Sequence, residues 1–191
     1  MPLESNPRRT LMSVNVEREL AELKAKVEST PGTGNKLTMV VFSGSLDRQI
    51  AAMIIATGAA AMGMEVVLFF TFWGTAALRD PARHVNGKSM ISKMFGVMLP
   101  KGRNALKLSQ MHMAGMGTAM LKGLMKKKNV ASMDQLFEVA AELSVKIYIC
   151  EMSMDLMGFK KDEMIQYPNL EVCGVATMLA HAKQSSLQFF I

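Results

Sequence analysis

Two unbroken apolar runs, LTMVVFS at 37–43 and MEVVLFFTFWG at 64–74, bracket an alanine-rich helical stretch from Leu46 to Met62. That alternation constrains the fold more than any other feature. A continuous β-branched and aromatic run is the pattern of a parallel strand buried on both faces, and parallel strands need a helical crossover between them. Gly63 fits the end of the helix, and GSLD supplies the turn at its start. The pattern repeats downstream. Ser132 is placed to cap the helix MDQLFEVAAELS, which leads into the strand VKIYICE (145–151). A helical stretch at Lys160–Ile165, a short strand LEVCG (170–174), the helix VATMLAHAKQS and a terminal strand LQFFI follow. The expectation is a three-layer α/β/α domain of the flavodoxin- or Rossmann-like kind, with a five-stranded, mostly parallel sheet.

The domain begins at residue 36. Before it, Val16, Leu20, Leu23 and Val27 are spaced as one face of an amphipathic helix, and Thr30-Pro31-Gly32-Thr33-Gly34-Asn35 breaks that helix into a linker. Residues 1–35 are therefore set apart from the domain at 36–191. A second departure is an insertion at about 74–130. Between Asp80 and Asp134 no acid occurs, whereas ten bases do; the rest of the chain carries twelve bases against sixteen acids. The formal charge of +6 thus reports one basic segment. Such a segment suits an acidic partner or an anionic membrane surface. Nucleic acid is not expected, because Phe95 is the only aromatic among these bases and no helix-turn-helix or zinc-finger spacing appears.

The same segment holds eight of the 20 methionines. Met90, Met94 and Met98 recur every four residues, as do Met116 and Met120. Thioethers adapt to irregular packing and to surfaces that accept several partners. Packing within the insertion and a Met-lined, Lys-rimmed flap are both open at this point. Met111-His112-Met113 raises copper(I) binding, but packing is the simpler reading and no metal is expected. His84 and His181 lack partners at ligand spacing.

Two cysteines exclude a disulfide scaffold, and MPLESNPRRT lacks the apolar core of a secretory signal, so the cytoplasm is the expected compartment. Cys150 falls at the C-terminal end of a parallel strand, in YICEMSMDLMG, where open α/β sheets collect their reacting groups. If Ser153 or Asp155 caps a following helical turn, the turn's N–H groups favour a thiolate at Cys150, which can attack a sulfane sulfur and hold it as a persulfide. The alternative is a cysteine filling a small gap in the core. Cys173 ends the next strand in the same manner; it is a candidate accessory thiol that can resolve a persulfide or close a disulfide, or else a packing residue. Ser43, Gly44 and Ser45 lie between a strand and a helix start, where backbone amides can bind an anion. The simpler reading is a tight turn with Ser45 or Asp47 as the helix cap. Neither GxGxxG nor the P-loop spacing is present. One competing reading takes Ile50–Phe72 as a membrane span, but Glu65, Gly58 and Gly63 favour a helix followed by a strand.

VVFSGSLDR, MGMEVVLFFTFWG, KMFGVMLPKG, the Met/Gly-rich stretch with its KKK run, and ICEMSMDLMG together resemble the DsrE/DsrF-like sulfur-relay family, in its methionine-rich branch, sometimes labelled peroxiredoxin-like. The likeness covers Lys36–Ile191. It implies an α/β/α domain, a homo-oligomer, and a sulfur carrier that takes sulfur from a rhodanese-type donor and passes it to a TusA-like carrier. The family cysteine falls on Cys150. The resemblance gives Cys173 no role and leaves the N-terminal helix outside the shared domain. No cofactor is implied, since flavin and nicotinamide labels gain nothing from these residues. Two other readings stand beside the carrier: a membrane-associated interaction module, and a thiol-disulfide redox protein using Cys150 and Cys173.

Overall fold

The computed structural model describes residues 21–22, 34–83, 85 and 90–191, without the side chains of 91–93. Of the helix expected over Val16–Val27, only residues 21–22 are among them; His84 also lies outside. The sheet has five strands: β1 (Lys36–Val41), β2 (Glu65–Phe70), β3 (Lys146–Cys150), β4 (Leu170–Cys173) and β5 (Leu187–Phe190). Their spatial order is β4-β3-β2-β1-β5, and every pairing is parallel.

Side-chain alternation divides the sheet into two faces. Leu37, Met39, Val41, Leu68, Phe70, Ile147 and Ile149 point to one face and are fully buried. Helices α1 (Leu46–Ala61) and α4 (Met133–Glu142) cover that face, contributing Leu46, Ala52, Met53, Ala56, Leu136, Phe137 and Ala140 to the same cluster. Burying each large side chain stabilises the fold by about 1.5–3 kcal/mol. The opposite face holds Lys36, Thr38, Tyr148 and Cys150. Helix α6 (Val175–Lys183) lies over it: Thr38 Oγ1 meets Ser185 Oγ at 2.7 Å, just beyond α6, and the Tyr148 ring stacks on His181 at 5.2 Å.

Local chemistry explains most element ends. Ser132 caps α4 through a capping box, its Oγ accepting from Gln135 N while Gln135 Oε1 accepts from Ser132 N. Gly63, at φ +82, takes the left-handed position after α1 that costs a residue with a Cβ. Ile50–Phe72 divides between α1 and β2, and among the described residues no helix is long and apolar enough to cross a membrane.

Two expected elements, and the packing expected of the insertion, come out differently. The second strand stops at Phe70 instead of running to Gly74, because Phe72–Leu78 winds into a 3₁₀ helix whose Gly74 N–H bonds Phe42 O at 2.8 Å. An added Cβ at Gly74 would stand 2.2 Å from Val41 O, so only glycine permits that crossing. The stretch Lys160–Ile165 keeps one 3₁₀ turn, Lys161–Glu163, because Met164 turns away to bridge Arg79. Packing within the insertion does not account for its methionines: seven of the eight, all but Met125, are exposed. Helices α2 (Met90–Met98) and α3 (Met116–Lys127) carry most of them. Buried Arg79 ties the end of α2 down, donating to the carbonyls of Gly96, Leu99 and Pro100 at 3.0–3.3 Å.

Candidate functional site

Strand β3 delivers Cys150 to the C-terminal edge of the sheet, and α5 (Glu151–Met157) starts immediately after it. Cys150 itself occupies the N-cap of α5, with extended backbone at φ −64 and ψ 115. Neither Ser153 nor Asp155 is the cap, because both already lie inside the helix. The Cys150 side chain makes no capping hydrogen bond, so its sulfur is not consumed by the helix start.

Ser153 has a different task. It is fully buried, its Oγ accepts from Phe72 N at 2.9 Å, and it shares a hydrogen bond with Thr71 Oγ1 at 2.9 Å. Thr71 and Phe72 follow β2, so Ser153 fastens α5 to the end of the neighbouring strand. Phe72 sits at φ 45, a conformation that persists only where the surroundings fix it. The Ser153 hydrogen bond is one such constraint. Ser153 therefore positions the helix start on which Cys150 stands.

Cys173 ends β4, and the β3–β4 register pairs it directly with Cys150. Partners in parallel strands point to the same face, and adjacent strands lie about 4.8 Å apart, within the Cα range that a disulfide spans. Both thiols are free. Cys150 is 5% exposed and Cys173 half-buried. Burial pushes the Cys173 thiol above its ordinary pKa, and neighbouring Cys150, Glu171 and Glu151 add to that; a hydrogen bond from Thr177 works against it. Thr177 was not singled out in the sequence, although its place four residues after Cys173 in the first turn of a helix is a usable signal.

The loop Ser43-Gly44-Ser45 is not brought to the thiols. It follows β1, two strand spacings from β3, or about 10 Å. Ser45 takes the N-cap position of α1 without a side-chain capping bond; its N–H instead donates to Ser43 Oγ at 3.2 Å. Asp47 turns to Ser109, accepting from its N–H at 2.8 Å and its hydroxyl at 2.5 Å. Gly44 is a packing requirement, since an added Cβ would meet Trp73 O at 2.8 Å. Among the described residues no three His, Cys, Asp or Glu side chains converge as metal ligands. His112 shares a 3.0 Å hydrogen bond with Thr118 instead.

The helices that follow the cysteine-bearing strands carry exposed apolar side chains. Met152 and Leu156 on α5 and Val175 and Leu179 on α6 are each more than half exposed.

Comparison with known proteins agrees in extent with the α/β domain. The profile of the DsrE/DsrF/DrsH-like family matches residues 33–190. The uncharacterized protein YrkE of Bacillus subtilis is 45% identical over 156 residues, covering 82% of this chain and 96% of the relative. The sulfur carrier protein DsrE2 of Allochromatium vinosum is 36% identical over 157 residues, covering 82% of this chain and 98% of its own. A crystal structure of the ychN protein from E. coli aligns over 82% of this chain and 98% of that one, at TM-score 0.44 and 11% identity. With the family profile spanning the whole sheet and a curated relative at 45% identity, the chain belongs to the DsrE/DsrF/DrsH-like family.

Proposed function

We propose that this protein is a cytoplasmic sulfur carrier that holds sulfane sulfur as a persulfide on Cys150 and hands it to a partner carrier. The observation that carries this reading is the placement of Cys150 at a strand end and helix N-cap, with no side-chain capping bond and with exposed Met152 and Leu156 on the helix that follows. The kinship with a sulfur carrier protein supports the same chemistry. In the loading step the Cys150 thiolate attacks the outer sulfur of a donor persulfide. A new S–S bond forms to Cys150, and the donor leaves as its thiolate. In the unloading step the partner's thiolate attacks that outer sulfur and Cys150 departs as a thiolate. No net oxidation occurs in either step.

Two surfaces suit the protein partners that such a relay needs. Met152, Leu156, Val175 and Leu179 form an apolar collar through which a donor of rhodanese type or an acceptor of TusA type reaches the sulfur. The exposed methionines of α2 and α3, set in a segment without acids, suit an acidic partner face. Edge strand β5 exposes Leu187, Phe189 and Phe190, apolar surface that supports assembly into a homo-oligomer.

The Cys150–Cys173 register favours one second reading, thiol redox chemistry. There the Cys173 thiolate attacks the inner sulfur of the Cys150 persulfide, closing a disulfide and releasing hydrosulfide. The raised pKa of Cys173 slows that step at neutral pH, which favours holding sulfur over discharging it. Incubation with thiosulfate and a rhodanese, read by intact mass, tests the proposal. One added sulfur atom on the wild type, absent in Cys150→Ser, supports it; no adduct on the wild type overturns it.

A further inference from the structure

The sheet has a second place where chemistry collects, and it is not the cysteine edge. Beyond the C-terminal ends of β1 and β2 lies a cavity of about 410 Å³, bordered by Ser43, Gly44, Ser45, Arg48, Trp73 and Lys107.

We infer that this cavity binds a small tetrahedral oxyanion, a sulfate, thiosulfate or phosphate group, held by the side chains of Arg48 and Lys107. Its wall, among the described residues, contains two cations and no carboxylate, beside apolar Phe42, Leu99, Pro100 and Leu108. Among the described residues neither Arg48 nor Lys107 is drawn into an ion pair. The nearest acid in sequence, Asp47, places both carboxylate oxygens on Ser109 and acts on Arg48 through space, without an ion pair. Lys107 is fixed at the cavity through its own carbonyl, which accepts from Leu46 N at 2.8 Å in the first turn of α1. Ser43 and Ser45 add hydroxyls at the floor, linked to each other at 3.2 Å. The Ile191 oxygen at the end of β5 is already occupied by the Phe42 and Ser43 N–H groups.

Backbone strain points the same way. Phe72, at φ 45, redirects the chain after β2 so that Trp73 forms a cavity wall, 45% exposed. Gly44 lets the β1 loop pass against the Trp73 carbonyl. This inference does not need the cysteines, and it is tested apart from them.

Trp73 is the only tryptophan of the chain, which makes its emission a direct reporter. The full chain is titrated with sodium sulfate, thiosulfate and phosphate, with chloride at matched ionic strength as reference. A saturable change with an oxyanion, absent with chloride, is expected. In the Arg48→Gln/Lys107→Gln double variant the dissociation constant rises by at least about tenfold, and in Cys150→Ser it is unchanged. Preference for thiosulfate or sulfate assigns the site to sulfur oxyanions, and preference for phosphate assigns it to phosphate esters; either upholds the site. A response equal to that of chloride, or unaltered affinity in the folded double variant, overturns it.

Discussion

Cys150 and Cys173 face each other across the β3–β4 ladder as register partners, the last residues of two adjacent parallel strands. They differ in burial, with Cys150 the more enclosed and Cys173 half-buried beside Thr177.

Loss of sulfur from loaded protein should therefore depend on pH. Burial holds the Cys173 thiol above its ordinary value of 9.0, so its thiolate fraction is small at neutrality and grows on the alkaline side. Hydrosulfide release from the persulfide is expected to accelerate as pH passes that value, and Cys173→Ser should abolish the acceleration. A release rate that ignores pH, or that is identical in the variant, contradicts the assignment.

Ser153→Ala should weaken the fold at the site. It strips the acceptor from the part-buried Phe72 N–H and a partner from the buried Thr71 Oγ1. Unsatisfied groups of this kind cost about 1–3 kcal/mol each. Denaturant unfolding should show a lower midpoint, and thiol alkylation should find Cys150 more reactive once α5 loosens. An unchanged midpoint argues against the fastening role.

Gly44→Ala forces a Cβ to within 2.8 Å of Trp73 O and 3.2 Å of Trp73 Cβ, against backbone that has little room to yield. A loss of about 1–3 kcal/mol is expected. The Trp73 emission maximum should shift as the two loops separate. Wild-type stability with wild-type emission contradicts the close approach.

His181 sets a pH dependence of stability in mildly acid solution. Burial depresses its pKa below 6.5, and the Lys36 ammonium, with Nζ 2.7 Å from His181 Nδ1, depresses it further; Glu65 opposes this. The unfolded chain then binds more protons than the folded one just below 6.5, so stability falls as pH falls through that window. Asp47, Glu65 and Asp134 have lowered values, and their losses begin only below the ordinary 3.8–4.5. Thermal midpoints should drop between about pH 7 and about pH 5, and His181→Gln should flatten the slope. Equal slopes refute the assignment.

The strands were legible because buried parallel strands write themselves as apolar runs, and the helices because Ser132, Gly63 and the alanine-rich stretch mark their ends. What escaped the sequence depends on contacts distant along the chain. The fate of FTFWG turns on Gly74 passing Val41 O. The shortening of Lys160–Ile165 turns on a bridge to Arg79, more than eighty residues away. Cys150 was legible from its strand end, but its pairing with Cys173 depends on strand order, which spacing does not encode. Likewise the methionine periodicity announced two helices without saying that their thioethers face outward.

Site-resolved mass analysis of the loaded protein tests the central claim most directly. The wild type, Cys150→Ser and Cys173→Ser are loaded with a persulfide donor, trapped by alkylation and digested. The account predicts one extra sulfur on the Cys150 peptide in the wild type and in Cys173→Ser, and none in Cys150→Ser. Extra sulfur confined to the Cys173 peptide, or found on neither, contradicts it.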